Sequence, residues 1–206
     1  MLIVGLTGSI GMGKSTAAER LRELGIPVCD ADALVHELYA GAAVAPIEAA
    51  FPGTTADGRV DRTRLAASLM ADATGFKRLE AIVHPLVLAA ERACLREAAA
   101  SGAGLAVIEV PLLFETGGHA RVDVTIVVSA PADLQRERVL ARAGMTPAKL
   151  TAILARQLPD AEKRARADFV VDTGGTFEAS RVQIDRIVAA LAGRVGTAFA
   201  RHWREW

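Results

Sequence analysis

Gly8-Ser9-Ile10-Gly11-Met12-Gly13-Lys14-Ser15 follows the apolar run Leu2-Ile3-Val4-Gly5-Leu6 and precedes the helix-prone stretch Thr16-Ala17-Ala18-Glu19-Arg20-Leu21-Arg22-Glu23-Leu24. The spacing G-x-x-x-x-G-K-S between a strand and a helix is that of a loop that cradles phosphate. Several backbone N–H groups must converge on one polyphosphate, and side chains at Gly8, Gly11 and Gly13 would obstruct that approach. Lys14 is then placed to reach the β- and γ-phosphates. The Ser15 hydroxyl can enter a Mg²⁺ shell otherwise made of water and phosphate oxygens, and Thr16 sits one residue deeper, toward the α-phosphate. The loop predicts a nucleoside triphosphate site with Mg²⁺ as its metal.

Further from the loop, apolar runs near 2–6, 26–30, 105–110, 122–128 and 168–172 alternate with helical patterns at 131–143 and 177–192. Buried parallel strands joined by helices produce this alternation, so the fold class is α/β with a five-stranded parallel sheet flanked by helices. The interval between the second and third strands far exceeds one crossover. Its part from Leu65 to Ala100 is rich in alanine with leucines at helical spacing, which predicts a helical insertion over about 41–100. A charged stretch over about 143–166 predicts a helical lid. The remaining core comprises 1–40, 101–142 and 167–192, and all 206 residues belong to one elaborated domain.

Composition excludes several classes. Hydrophobic residues make up 51% and the formal charge is zero, so the balance asks for neither nucleic acid nor an anionic membrane as partner. No apolar run approaches the roughly 20 residues of a membrane span, and a cytoplasmic enzyme acting on small molecules is expected, with its oligomeric state open and a monomer slightly favoured. Cys29 and Cys94 are distant and outside any Cys/His cluster, which argues against structural zinc or a disulfide framework; Cys29 reads as a small buried residue. The chain contains no asparagine, so it lacks the Asn-Lys-x-Asp element with which a GTPase reads guanine. Kinases for other small acceptors and an ATP-gated regulator stay open at this level.

The acidic and basic residues narrow the chemistry. Asp30-Ala31-Asp32 ends the second strand, at the strand end where open α/β sheets collect ligands. Asp32 can orient and deprotonate an acceptor hydroxyl; Asp30 can support a Mg²⁺-bound water or simply cap the following helix. Glu109 ends the strand Val107-Ile108-Glu109 and is the alternative carboxylate for a Mg²⁺-bound water. After it come Leu112, Leu113 and Phe114, read either as a substrate wall or as core, and Glu115, which can be merely solvated. Gln135, Arg138 and Arg142 have spacings that place them on one helical face, and with Arg156 from the lid they can neutralise charge on the γ-phosphoryl oxygens. Arginines outnumber lysines 20 to 4, so position rather than residue type must carry these assignments. His84-Pro85 reads on its own as a helix boundary.

Taken together, Gly5 to Thr16, Asp30-Ala31-Asp32, Ile82-Val83-His84-Pro85, Pro111-Leu112-Leu113-Phe114-Glu115 and Gln135 with Arg138 and Arg142 resemble the dephospho-CoA kinase family in residues, order and spacing, over about residues 1–192. The resemblance implies a P-loop kinase core, a CoA-binding insertion and a lid that closes over ATP. It also implies transfer of the ATP γ-phosphoryl group to the ribose 3′-hydroxyl of dephospho-CoA, the last step of coenzyme A biosynthesis. Under it Asp32 matches the catalytic base, His84 contacts the acceptor, and Leu112, Leu113 and Phe114 form a wall against it. Lys14, Arg138 and Arg142 serve the transferring phosphate. The backbone from Gly8 through Gly11, Met12, Gly13, Lys14, Ser15 and Thr16 holds ATP, together with Arg142 and Arg156. Ser9, Met12 and Asp172 depart from the family's usual residues, and the tail Gly193–Trp206 carries no motif of it.

Overall fold

The computed structural model describes residues 1–72 and 74–204, and it divides into two compact units, Met1–Cys29 with Arg96–Trp206, and Asp30–Leu95. The first is built on a five-stranded sheet. Its strands are β1 (Leu2–Thr7), β2 (Val28–Asp30), β5 (Leu105–Glu109), β6 (Val124–Ser129) and β7 (Phe169–Asp172), in the order β2-β5-β1-β6-β7. β1 pairs in parallel with β5 on one side and β6 on the other, and β6 in parallel with β7. All six residues of β1 and of β6 are buried, which is why those strands read as unbroken apolar runs rather than alternating ones.

Around the sheet lie α1 (Lys14–Glu23), α6 (Ala132–Leu140), α7 (Pro147–Leu154), α8 (Asp160–Arg166) and α9 (Phe177–Leu191). Ala17, Ala18 and Leu21 of α1 join Ile184, Ile187 and Leu191 of α9 over Leu2, Val4 and Leu6 of β1 in one apolar cluster. Across this pair Arg20 holds Asp185 through two hydrogen bonds of 2.8 and 2.7 Å. Because the chain leaves β1 with β5 and β6 on opposite sides, the carboxyl end of β1 is the point where ligand crevices form in open α/β sheets.

The second unit holds α2 (Ala31–Leu38), α3 (Val44–Ala50), the hairpin β3 (Thr55–Ala56) and β4 (Arg59–Val60), α4 (Arg62–Ala71) and most of α5 (Gly75–Ala100). Ala43, Ile47, Phe51, Val60, Leu65, Leu69 and Val83 form its own core. The hairpin turns on Asp57 and Gly58, both with positive φ (50° and 72°), the conformation a two-residue hairpin loop requires.

Three expectations are corrected here. His84-Pro85 does not end a helix: α5 runs through Pro85 for 26 residues. Proline sacrifices one helical hydrogen bond, and burial of Val83 and, further along, Leu95 outweighs that local loss. The helix after β6 stops at Leu140, so Arg142 lies in the turn before Gly144 (φ 75°) rather than on the same helical face as Gln135 and Arg138. Finally, neither Cys29 nor Cys94 is a free thiol.

The tail, although without a motif, is fixed as far as residue 204. The Asp123 carboxylate accepts the N–H groups of Ile3, Thr197 and Ala198. Trp203, 1% exposed, donates its indole N–H to the Arg121 carbonyl at 2.8 Å. Glu205 and Trp206 lie outside the described residues.

Candidate active site

The loop between β1 and α1 is shaped by two glycines in left-handed conformations, Gly11 (φ 78°) and Gly13 (φ 88°). A Cβ at Gly11 would also strike Val139 at 2.5 Å, and one at Gly13 would press on Thr173 at about 3.2 Å. Glycine is therefore demanded here by backbone conformation and by packing against α6 and the turn after β7, in addition to any need of a ligand. α1 has no acidic residue in its first turn, so the positive end of the helix dipole and its open N–H groups stay available to an anion.

Lys14 does not project freely. Its Nζ lies 2.6 Å from Glu109 Oε1, and Glu109, 3% exposed at its side chain, also has Arg22 Nη2 at 3.6 Å from its other oxygen. A carboxylate so deeply buried needs such partners, because an unpaired charge there would be expensive. Ser15 is exposed at the start of α1, and among the described residues its hydroxyl makes no hydrogen bond. No group of three or more His, Cys, Asp or Glu that could hold a metal occurs among the described residues. The donors thus fit a Mg²⁺ ion that arrives with nucleotide phosphates and takes one protein hydroxyl, not one caged by protein alone.

Below the loop, Gln135 of α6, nearly buried, donates to the Ile10 carbonyl at 2.8 Å, while Gln157, between α7 and α8, accepts the Ile10 N–H at 3.2 Å. Arg138 spends its guanidinium on Thr173, donating to its carbonyl at 2.7 Å and its hydroxyl at 3.3 Å. Arg142 is exposed and its side chain makes no hydrogen bond or ion pair among the described residues; Arg156 is exposed between α7 and α8.

The segment after β5 separates its residues. Leu113 and Phe114 are 2% and 5% exposed and belong to the packing of the unit, with Phe114 against His119 at 5.4 Å between rings. Leu112 is half-buried. Glu115 is far from merely solvated. Its Oε1 meets the fully buried Lys163 Nζ at 2.8 Å and accepts the Leu158 N–H at 2.8 Å, and Lys163 donates also to the Pro111 carbonyl. Burial alone would raise the Glu115 pKa, but the bonds from Lys163 and Leu158 outweigh it and hold the carboxyl below its ordinary value. A second tie runs from the Ser129 hydroxyl to Asp160 at 2.7 Å. In the sequence Lys163 reads only as one of the lid's charges, Thr173 only as part of the turn around Asp172, and Gln157 carries no signal; an interior location gives each its role.

In the second unit Asp30 serves as N-cap of α2, its Oδ1 accepting the N–H groups of Asp32 and Ala33. Asp32 is exposed and lines a cavity of about 380 Å³ with Val35, Tyr39, Arg62, Leu65 and Leu69. The Arg62 guanidinium lies over the Tyr39 ring at 5.4 Å and 3.3 Å from His36 Nδ1. Burial pushes the Tyr39 hydroxyl above its ordinary pKa, with Arg62 opposing. An apolar concavity with one carboxylate and one guanidinium suits a partly polar organic ligand. His84 is exposed on α5 and does not line this cavity.

Comparison with known proteins bears on both units. The family model described as dephospho-CoA kinase matches residues 2–178. A protein named dephospho-CoA kinase from Mesorhizobium japonicum is 55% identical over 197 residues, 96% of this chain and 100% of its own. The crystal structure of a Thermus thermophilus protein superposes with a TM-score of 0.80 at 38% identity, covering 93% of this chain and 98% of that one. A dephospho-CoA kinase structure from Campylobacter jejuni shares the fold, with a TM-score of 0.70 at 24% identity over 92% of this chain and 96% of that one. With a matching loop, sheet and helical unit, and with close relatives aligned over nearly their full lengths, the chain belongs to the dephospho-CoA kinase family.

Proposed function

We propose that this protein transfers the γ-phosphoryl group of ATP to the ribose 3′-hydroxyl of dephospho-CoA, giving coenzyme A and ADP, the final step of coenzyme A biosynthesis. The observation that carries the reading is the loop from Gly8 to Ser15, whose two left-handed glycines and Lys14 at the start of α1 support a phosphate-binding role in a chain of that family. The 3′-oxygen attacks the γ-phosphorus while the bond to the β,γ-bridging oxygen breaks, and ADP leaves. The hydroxyl proton passes to Asp32, whose exposed carboxylate orients the acceptor.

The backbone of Gly11, Met12, Gly13, Lys14, Ser15 and Thr16 holds the ATP phosphates. Lys14 exchanges its contact with Glu109 for the β- and γ-oxygens, and Arg142 and Arg156, both at the surface, supply further positive charge as transfer proceeds. Arg138 serves the phosphates from beside the loop. Ser15 would hold Mg²⁺, with Asp30 or Glu109 acting through water; the ion neutralises charge on the β- and γ-phosphates. The 380 Å³ cavity beside Asp32 receives part of the acceptor, with His84 and Leu112 as further acceptor contacts. Leu113 and Phe114 support Leu112 from the core. The protein acts as a cytoplasmic enzyme on small molecules, and among the described residues no helix is long and apolar enough to cross a membrane.

The test is an ADP-release assay with Mg-ATP and purified protein. Dephospho-CoA is expected to stimulate turnover, and nucleosides are not. Ready phosphorylation of nucleosides with dephospho-CoA untouched would overturn the proposal. Lys14→Ala should lose at least about a thousandfold in kcat/KM, as removal of a principal phosphate contact does, and because it leaves buried Glu109 with Arg22 alone it should also lower the melting temperature.

A further inference from the structure

A phosphate-binding loop works only if its N–H groups face inward, which requires its carbonyls to face away. In a trans peptide the C=O of one residue and the N–H of the next point in opposite directions, and the described residues contain no cis peptide. Whatever grips the Met12 carbonyl from outside therefore aims the Gly13 N–H into the loop.

That grip comes from Thr173, in the turn after β7. Its hydroxyl is 2.7 Å from the Met12 carbonyl and 3.1 Å from the Ser129 carbonyl, and the residue is 8% exposed. A hydroxyl has one proton to give. Arg138 Nη1 approaches the same oxygen at 3.3 Å; a guanidinium is permanently protonated and only donates, so the Thr173 hydroxyl must direct its own proton to a carbonyl, of which Met12's is nearer. Arg138 also fixes Thr173 by its carbonyl at 2.7 Å. Thr173 touches the loop a second time: its Oγ1, Cβ and Cγ2 would all stand within 3.2–3.3 Å of a Cβ at Gly13.

At the Ile10–Gly11 peptide the same logic holds, while the Ile10 and Met12 N–H groups are taken up within the protein. Gln135 holds the Ile10 carbonyl outward, the Ile10 N–H goes to Gln157, and the Met12 N–H goes to Ser9 O at 3.1 Å. The Gly11 and Gly13 N–H groups make no hydrogen bond among the described residues.

We propose that Thr173, oriented by Arg138, is a positioning residue for the nucleotide: it holds the Met12–Gly13 peptide with the Gly13 N–H turned toward the phosphates. The inference rests on the reading of this loop as the ATP site. It gives Arg138 a task beside direct phosphate contact, because loss of its guanidinium would release Thr173.

The test compares Thr173→Val, which keeps the shape and removes the donor, with Thr173→Ser, which keeps the donor. Calorimetry measures the dissociation constants of Mg-ATP and Mg-ADP, thermal melting reports folding, and steady-state kinetics give KM for dephospho-CoA. Thr173→Val is expected to weaken both nucleotides about tenfold, the effect of one lost hydrogen bond in a polar site. KM for dephospho-CoA should stay within about twofold of wild type, and Thr173→Ser should restore nucleotide affinity to within about twofold. A folded Thr173→Val that binds nucleotide as wild type does overturns the inference, whatever its melting temperature. If Thr173→Val does not fold, a folded Thr173→Ser weakened tenfold overturns it, and wild-type affinity supports it. A wild-type protein without nucleotide affinity would instead overturn the reading of the loop itself.

Discussion

Lys163 shows how a residue with no motif becomes indispensable. It is fully buried, and its ammonium is matched by Glu115 at 2.8 Å and the Pro111 carbonyl at 3.2 Å. Replacing both partners of such a pair by apolar residues can be neutral, but removing one leaves a buried charge, at a cost of about 3–5 kcal/mol. Lys163→Met is therefore expected to lower the melting temperature by roughly 10 °C, measured by circular dichroism. The same pair has a pH signature. The Glu115 pKa is lowered from its ordinary value of 4.5 in the folded protein, so its contribution to stability is complete above that value and is lost as pH falls through the depressed one. Glu115→Gln should accordingly flatten the loss of stability in acid; an unchanged acid limb would show that the pair contributes nothing to it. At Asp32 the expectation is catalytic: Asp32→Asn should lower kcat by two or more orders of magnitude with little change in KM for ATP. A loss confined to KM would make it a binding residue.

Among the elements, α5 departs furthest from its local signals. The dipeptide His84-Pro85 favours an interruption, since proline lacks an N–H and restrains the residue before it, yet the helix continues from Gly75 to Ala100. Pro85→Ala should stabilise the protein, by up to about 3 kcal/mol, because it restores a helical hydrogen bond at an exposed position. A destabilised Pro85→Ala would show that the ring itself is required. The hairpin β3–β4 teaches the opposite lesson. Its Asp57-Gly58 pair is a strong turn signal inside a region whose composition reads as helical, and Gly58→Ala, at φ 72°, should cost about 1–2 kcal/mol in thermal melting. Strands β1, β5 and β6 are readable within two residues because strands buried in a parallel sheet are continuously apolar, and β7, although half exposed, is legible from its apolar β-branched run. The end of α6 was not, since Gly144 marks the stop and Arg142 extends the apparent helical spacing past Leu140.

Over the whole molecule, unit boundaries and the tail lie beyond sequence patterning. The chain divides after Cys29 and after Leu95, the second point inside an unbroken helix that no composition change marks. The tail over residues 193–204, outside the family match of 2–178, is anchored by Asp123 and by Trp203, so Trp203→Ala should cost about 3–5 kcal/mol by leaving a large cavity. A melting temperature equal to wild type would mean the tail is dispensable. What the order of residues alone fixed was the phosphate loop, the parallel α/β core and the family. Those rest on short-range rules: glycines where φ must be positive, unbroken apolar runs where strands are covered on both faces, and a lysine beside a helix start. Which side chains hold the loop in shape was settled only when distant segments met. Thr173 lies 161 positions from Met12 and Lys163 lies 52 from Pro111. Buried donors and charges take their partners from whatever the fold brings within about 3 Å, and that neighbourhood has no counterpart in local spacing.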